Sequence, residues 1–411
     1  MAIVLSGGTV IDGNGGTPIH DAAVLIEGEQ ITQVGPAVHM KVDAAAQYID
    51  TTGKTMMPGM VDGHIHICGD PYPDPAYPLK DLPAYAPIRG VAAARKMLEM
   101  GFTAGRSMAD LNFSGVALSQ AIKLGIVPGP RLVAAGEMVV VDASASGGWV
   151  PPQSRIPQHR MFTGPDDARR AVRWQLLNGA DFIETMIGGP VGTNGPIGLM
   201  DTEWTFEEMQ AAADEAHRRG KRIGVNCYSD ETVITCINAG FDIIEHGCLV
   251  TERGLEAMVK AGTFFVPTLC AYHAYIAPDA EQRYPAWRLA RGRPVGETLK
   301  ERFPLYISSG VKFVGGSDGS GPGTGRRPGE GALELQLCVD YGMTPMQAIV
   351  ANTKMGADCM GFLDRFGTLE PGKLADIVVV DGDPLVDITI LQERERISLV
   401  MKGGEIFRSN L

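Results

Sequence analysis

PGMVDGHIHICGD, residues 58–70, decides how this chain is read. A short apolar run leads into two histidines, His64 and His66, placed two residues apart. Residues at i and i+2 of a strand point to one face, so both imidazoles can reach a single ion from the strand's end. Alone, such a pair is weak evidence, and its weight comes from its surroundings. Downstream come TAGRSM (103–108), RLVAAG (131–136), DFIETMI (181–187), RIGVNCY (222–228), DIIEHG (242–247), FFVPTL (264–269) and KFVGGSD (312–318). With MVDGHIH these make eight strand-like runs. Between them lie stretches with apolar positions at helical spacing, such as VAAARKMLEMG (91–101), DDARRAVRWQLLNG (166–179) and TFEEMQAAADEAHRRG (205–220). The alternation predicts an α/β fold, specifically a (β/α)8 TIM barrel.

In such a barrel the working residues stand at the C-terminal ends of strands. His246 closes the sixth run and Asp318 the eighth, and both residue types bind borderline divalent metals. Each has a plainer reading taken singly: a packed core histidine, or an aspartate capping the next helix.

The two ends of the chain read differently from the middle. AIVLSGGTVIDG (2–13), DAAVLIEGEQITQVG (21–35) and QYIDTTGKTMMPG (47–59) are strands punctuated by glycine turns, and KLADIVVVDGDP (373–384) and ISLVMKGGEIFRS (397–409) repeat the style. We expect them to meet in one small β-sandwich domain, formed by residues 1–57 and 363–411 around a barrel of 58–362.

The 411 residues suffice for a large core, and 45% hydrophobic with 20% charged residues is ordinary for a globular protein. A net charge of −12 disfavours nucleic acid, whose phosphates need clustered Lys and Arg. The N-terminus lacks the basic start and apolar run of a secretory signal, and no stretch approaches the roughly 20 apolar residues that span a bilayer. We therefore expect a cytoplasmic protein with neither membrane nor nucleic-acid partners. Seven scattered cysteines with no C-x-x-C pair suit reduced, packed thiols better than disulfides.

With these segments in view, the sequence resembles the amidohydrolase superfamily, in its branch similar to imidazolonepropionases and Xaa-Pro dipeptidases. GGTVIDGNGG (7–16), PGMVDGHIH, LEMGFTAGRSM (98–108), ADFIETMIGG (180–189), GFDIIEHG (240–247), GGSDGSG (315–321), GMTPMQAIVANT (342–353) and GTLEPGKLADIVVVDGDPL (367–385) stand where that branch has its signature segments, so the likeness covers nearly the whole chain. It implies hydrolysis at carbon by metal-bound hydroxide, with Asp318 as general base. It also implies a small-molecule substrate and, since relatives form dimers or larger rings, a homo-oligomer.

The departures from the branch bear on the metal and the substrate. Glu184 stands where relatives carry a carboxylated lysine that bridges two metals; a carboxylate can bridge as well. Relatives have a metal-binding histidine at Asn226 and another histidine at Tyr228. The resemblance thus implies a ligand set drawn from His64, His66, Glu184, Asn226, His246 and Asp318, holding one or two divalent ions. Zn is the default, and Mn, Fe or Co fit the same residues. His246 and Tyr228 are candidates to polarise the substrate carbonyl. Trp149 replaces a histidine of the dipeptidase-like relatives, which tells against dipeptide cleavage. With Tyr228, Tyr272 and His273 it favours a bulky or aromatic substrate. Arg106, Arg326 and Arg327 are candidates to anchor an anionic group. The bond cleaved is then a C–N bond of an amide, carbamate, urea or cyclic amide. Two enzymatic alternatives are an enamide or cyclic-imine hydrolase and a deaminase-type aminohydrolase, the latter disfavoured by the missing strand-five histidine. A further alternative is a non-catalytic amidohydrolase-like binding protein, which would have no reason to keep His64, His66, His246 and Asp318 together.

Overall fold

The computed structural model describes the chain except for residues 1, 42, 70–80, 143, 145–159, 190, 193–197 and 321–328. Trp149, Arg326 and Arg327 lie outside the described residues.

All eight strand-like runs of the middle segment form parallel strands. Met60–Ile65, Phe102–Ser107 and Arg131–Ala134 pair in one sheet. Ile183–Met186, Ile223–Cys227, Ile243–His246, Phe264–Val266 and Lys312–Phe313 pair in a second, which also carries Val139–Val141 and Arg160–Phe162 at its far edge. Backbone hydrogen bonds join the sheets at both ends. Asp181 N–H donates to Ala134 O at 2.8 Å on one side, and Gly63 N–H to Gly315 O at 2.8 Å on the other. The first six of these strands are buried almost throughout, as parallel strands covered on both faces must be.

Helices between the strands follow their sequence signals. Phe206–Arg218 starts on a Thr205–Glu208 capping box, Asp230–Ala239 on Ser229–Thr232, and Gly240 and Gly262 end two helices in left-handed backbone. The run TPMQAIVANTKMGADCMGF (344–362) forms two helices, Pro345–Ala351 and Lys354–Met360. The break at Asn352 and Thr353 lets Asn352 O accept from Val61 N–H at the start of the first strand. Ala286–Ser308 is a 23-residue helix with Pro294 and Pro304 inside it, and those prolines hide it from a reading by helical signals.

The strands of the two chain ends share one eight-stranded sheet, in which Lys54–Pro58 pairs antiparallel with Ile377–Asp381. Its last hairpin turns through Gly403 and Gly404, both at positive φ, as a two-residue turn between Lys402 and Glu405 requires. Arg131, at the start of the third parallel strand, holds Asp376 of this part through two hydrogen bonds of 2.9 and 3.0 Å.

Candidate metal centre and active site

His64 and His66 leave the first strand side by side, and Asp318 reaches them from just past the eighth. Asp318 Oδ1 lies 3.6 Å from His64 Nε2 and 3.4 Å from His66 Nε2. Among the described residues these three are the group of His, Cys, Asp and Glu whose ligand atoms all fall within 4.8 Å of one another. Their other contacts fix which ring nitrogen faces inward. His64 Nδ1 lies 2.8 Å from Glu245 Oε2, and His66 Nδ1 lies 3.0 Å from Ala109 O. Both partners only accept, so each Nδ1 carries a proton and each Nε2 is the nitrogen turned toward Asp318, the one that would lose its proton to bind a cation.

The backbone at this end is under strain. Asp318, His246 and Thr268 have φ of 52°, 69° and 52°, a left-handed conformation that costs a residue with a Cβ roughly 1–2 kcal/mol. Such outliers gather where function over-determines the chain. Asp62 acts as a strut for the Asp318 turn: its carboxylate accepts from Ser317 N–H at 2.9 Å and from Ser317 Oγ at 2.6 Å.

Electrostatics agree with a cation-binding pocket. Burial alone lowers the His66 pKa, but Asp318, Glu184 and Asp110 raise it to about 9. His64 is likewise lowered by burial and raised overall by Glu245 and Asp318. Burial raises the Asp318 carboxyl, yet His66, His64 and His246 together hold it below the usual carboxylate range. His246 behaves oppositely: burial and the neighbouring His64 push it down to about 4, so it stays neutral. Its Nδ1 lies 2.8 Å from Thr268 Oγ1, whose single proton goes to Pro267 O at 2.8 Å. Thr268 therefore accepts, His246 carries its proton on Nδ1, and its Nε2 carries the lone pair. The ring stacks on Tyr228 at 5.7 Å and meets Tyr272 edge-on at 5.6 Å.

Glu184 and Asn226 form a second polar group close by. Glu184 Oε2 accepts from Ala109 N–H, and Oε1 accepts from Asn226 Nδ2 at 3.0 Å. The backbone of Ala109 thus links Glu184, through its N–H, to His66, through its C=O. Among the described residues, no donor reaches the buried Asn226 Oδ1. A buried carbonyl oxygen without a donor is costly and calls for an ion or a water. The donor set of two imidazole Nε2 atoms, a carboxylate and an orphaned amide oxygen fits a borderline divalent cation.

Other candidates sit elsewhere. Arg106 does not face the mouth: it is 1% exposed, stacks over Phe182 at 4.5 Å, and gives Nη2 to Glu245 Oε1 at 3.0 Å and Nη1 to Gly63 O at 2.8 Å. Its charge is committed to Glu245 behind His64 and is withdrawn from any anionic group in solution. His273 turns its Nδ1 to Tyr341 OH at 2.9 Å. Cys68 is a buried thiol whose pKa is pushed upward by burial, which makes it inert.

Four residues with evident roles escaped the sequence reading: Glu245, Asp62, Ser317 and Thr268. Two carried a signal. Glu245 is an acid inside the apolar run IIEH, and Asp62 shares strand parity with His64 and His66. Burial raises Glu245, while Arg106 and His64 pull it down to about 2, so it is a carboxylate.

Comparison with known proteins agrees with this geometry. The model of the amidohydrolase family matches residues 55–407. The chain is 27% identical to ochratoxinase of Aspergillus niger, covering 98% of this chain and 86% of the relative, and 24% identical to imidazolonepropionase of Rhizobium rhizogenes, covering 88% and 86%. Among solved structures, a Xaa-Pro dipeptidase with bound methionine superposes with a TM-score of 0.89 at 26% identity, covering 99% of each chain. The A. niger ochratoxinase superposes at 0.87 with 25% identity, covering 99% of this chain and 96% of that one. The match along 55–407, on strands that converge on His64, His66 and Asp318, means that this chain belongs to the amidohydrolase family and is a hydrolase acting on carbon–nitrogen bonds.

Proposed function

We propose that the protein is a metal-dependent hydrolase that cleaves the C–N bond of an amide, carbamate, urea or cyclic amide in a bulky or aromatic small molecule. The reading rests on one observation above all, the approach of Asp318 Oδ1 to both His64 Nε2 and His66 Nε2. His64, His66 and Asp318 would hold a divalent cation, Zn by default, with Glu184, Asn226 and His246 completing the shell for one or two ions. When bound, the cation supplies Lewis acidity, which lowers the pKa of water from 15.7 to about 7.

The chain's own residues do the rest. Asp318, kept ionised by the surrounding imidazoles, takes the proton of the attacking water and passes it to the leaving nitrogen. Tyr228, whose phenol burial keeps protonated, stacks on His246 and is available to donate to the carbonyl oxygen as charge develops there. The aromatic walls of Tyr228 and Tyr272 favour a substrate with an apolar or ring-bearing acyl or amine part. Relatives named ochratoxinase and imidazolonepropionase are consistent with such chemistry. The architecture that goes with this reading is a closed (β/α)8 barrel of residues 58–362 with a small β-sandwich from 1–57 and 363–411.

The test is a hydrolysis screen of aryl amides, carbamates, ureas and N-acyl amino acids, run with Asp318→Asn alongside. Turnover of one class by the parent chain, reduced at least about a thousandfold in the variant, is expected. Full activity in Asp318→Asn removes Asp318 from its role.

A further inference from the structure

Glu334 is a glutamate with no exposed surface, on the helix Ala332–Asp340, and the chemistry above gives it no part. Its two carboxylate oxygens accept from consecutive backbone amides: Oε1 from Leu269 N–H at 2.9 Å and Oε2 from Cys270 N–H at 2.8 Å. Those amides open the helix Leu269–Ile276, whose N-cap residue is Thr268. A threonine in that position ordinarily turns its own hydroxyl onto the first amides of the helix, which have no partner inside it. Thr268 makes no such bond. Its hydroxyl donates to Pro267 O and accepts from His246 Nδ1 instead.

We propose that Glu334 is a positioning residue: it caps the helix from outside in place of Thr268, and so frees the Thr268 hydroxyl to fix the ring and tautomer of His246. The geometry of the turn supports this. Thr268 and His246 both hold left-handed backbone, and neither conformation is one a threonine or histidine adopts without being held. The bidentate grip on Leu269 and Cys270 begins one residue after Thr268, so the turn is fixed on its C-terminal side by Glu334. On its other side the Thr268–His246 bond ties it to the sixth strand. Without Glu334, the Thr268 hydroxyl is the nearest replacement cap. Rotating to serve the helix would abandon His246 Nδ1, and the ring would then be free to exchange tautomers.

This inference rests on the proposed role of His246 only for its catalytic consequence, so the primary readout is spectroscopic and uses metal-free protein without substrate. The two ring nitrogens of His246 are followed by 15N NMR in the full chain and in Glu334→Gln, which offers one acceptor oxygen to two amides. In the parent chain, His246 is expected as the single Nδ1-protonated tautomer. In Glu334→Gln its ring 15N shifts converge toward a mixture, and kcat on any substrate found falls by up to about a hundredfold with KM little changed. Should Glu334→Gln fail to fold, Glu334→Asp keeps the carboxyl group but withdraws it by one methylene, and it must move the same resonances. A folded variant of either kind with His246 resonances at their parent positions overturns the proposal. Absence of hydrolysis toward every substrate class would defeat the functional reading and leave the tautomer result standing.

Discussion

Replacing Glu245 by Gln should separate the two things that residue does. Its carboxylate is fully buried and shared between two donors, His64 Nδ1 at 2.8 Å and Arg106 Nη2 at 3.0 Å. Glutamine keeps the shape but has one acceptor oxygen and an amide that only donates, so one of the two partners must face a donor. Arg106, itself 1% exposed, would be left a buried cation with Gly63 O as its remaining partner given above. Removing one member of a buried ion pair in this way costs about 3–5 kcal/mol. Loss of the carboxylate behind a ligating histidine weakens metal binding by about 10–100-fold, or about 1.4–2.7 kcal/mol. Urea unfolding reads the first quantity, and competition with a chromogenic chelator reads the second. Adding Arg106→Met removes the stranded charge, so the double variant should recover much of the stability and none of the metal affinity. If Glu245→Gln keeps both parent stability and parent affinity, the account of how His64 is oriented is wrong.

Other outcomes follow from the same structure. Burial, reinforced by Asp62, raises the Glu334 carboxyl from 4.5 to about 7, against two backbone amides that lower it. The folded chain then keeps this proton at pH values where the unfolded chain has lost it, so stability falls as pH climbs from about 4.5 to about 7. The gap is worth about 3 kcal/mol. Denaturant unfolding at pH 5 and pH 7.5 should show that slope in the parent chain, and Glu334→Gln should lack this share of it. Gly316→Ala places a Cβ 2.8 Å from both His64 N and His64 Cβ and 2.7 Å from Val266 Cγ1, closer than real contacts allow. It should cost about 1–3 kcal/mol of stability and weaken metal retention, both readable by the same unfolding and chelator assays.

How much was legible in the sequence depended on whether a local signal existed. The eight parallel strands were, because each is a short apolar run that follows closely on a glycine, as Gly101 precedes Phe102 and Gly240 precedes Ile243. The convergence of His64, His66 and Asp318 was also foreseeable, since strand ends of a parallel fold gather their loops in one place. Arg106 misled because a cation at a strand end looks the same whether it faces substrate or a buried acid. Its partner Glu245 lies 139 positions away in sequence, and nothing local connects them. Thr268 and Glu334 were silent for the same reason: a helix capped by a residue from another helix leaves no i to i+3 pattern to read. The long helix Ala286–Ser308 was obscured by its two prolines, although tertiary packing keeps it continuous.

The central claim is that His64, His66 and Asp318 together retain a divalent ion, and the most direct measurement is elemental analysis of the purified chain after metal supplementation and dialysis, beside His66→Ala. A stoichiometric divalent ion in the parent and its loss in the variant is the expected result. A parent chain that holds no ion, or a variant that holds as much as the parent, would contradict the account.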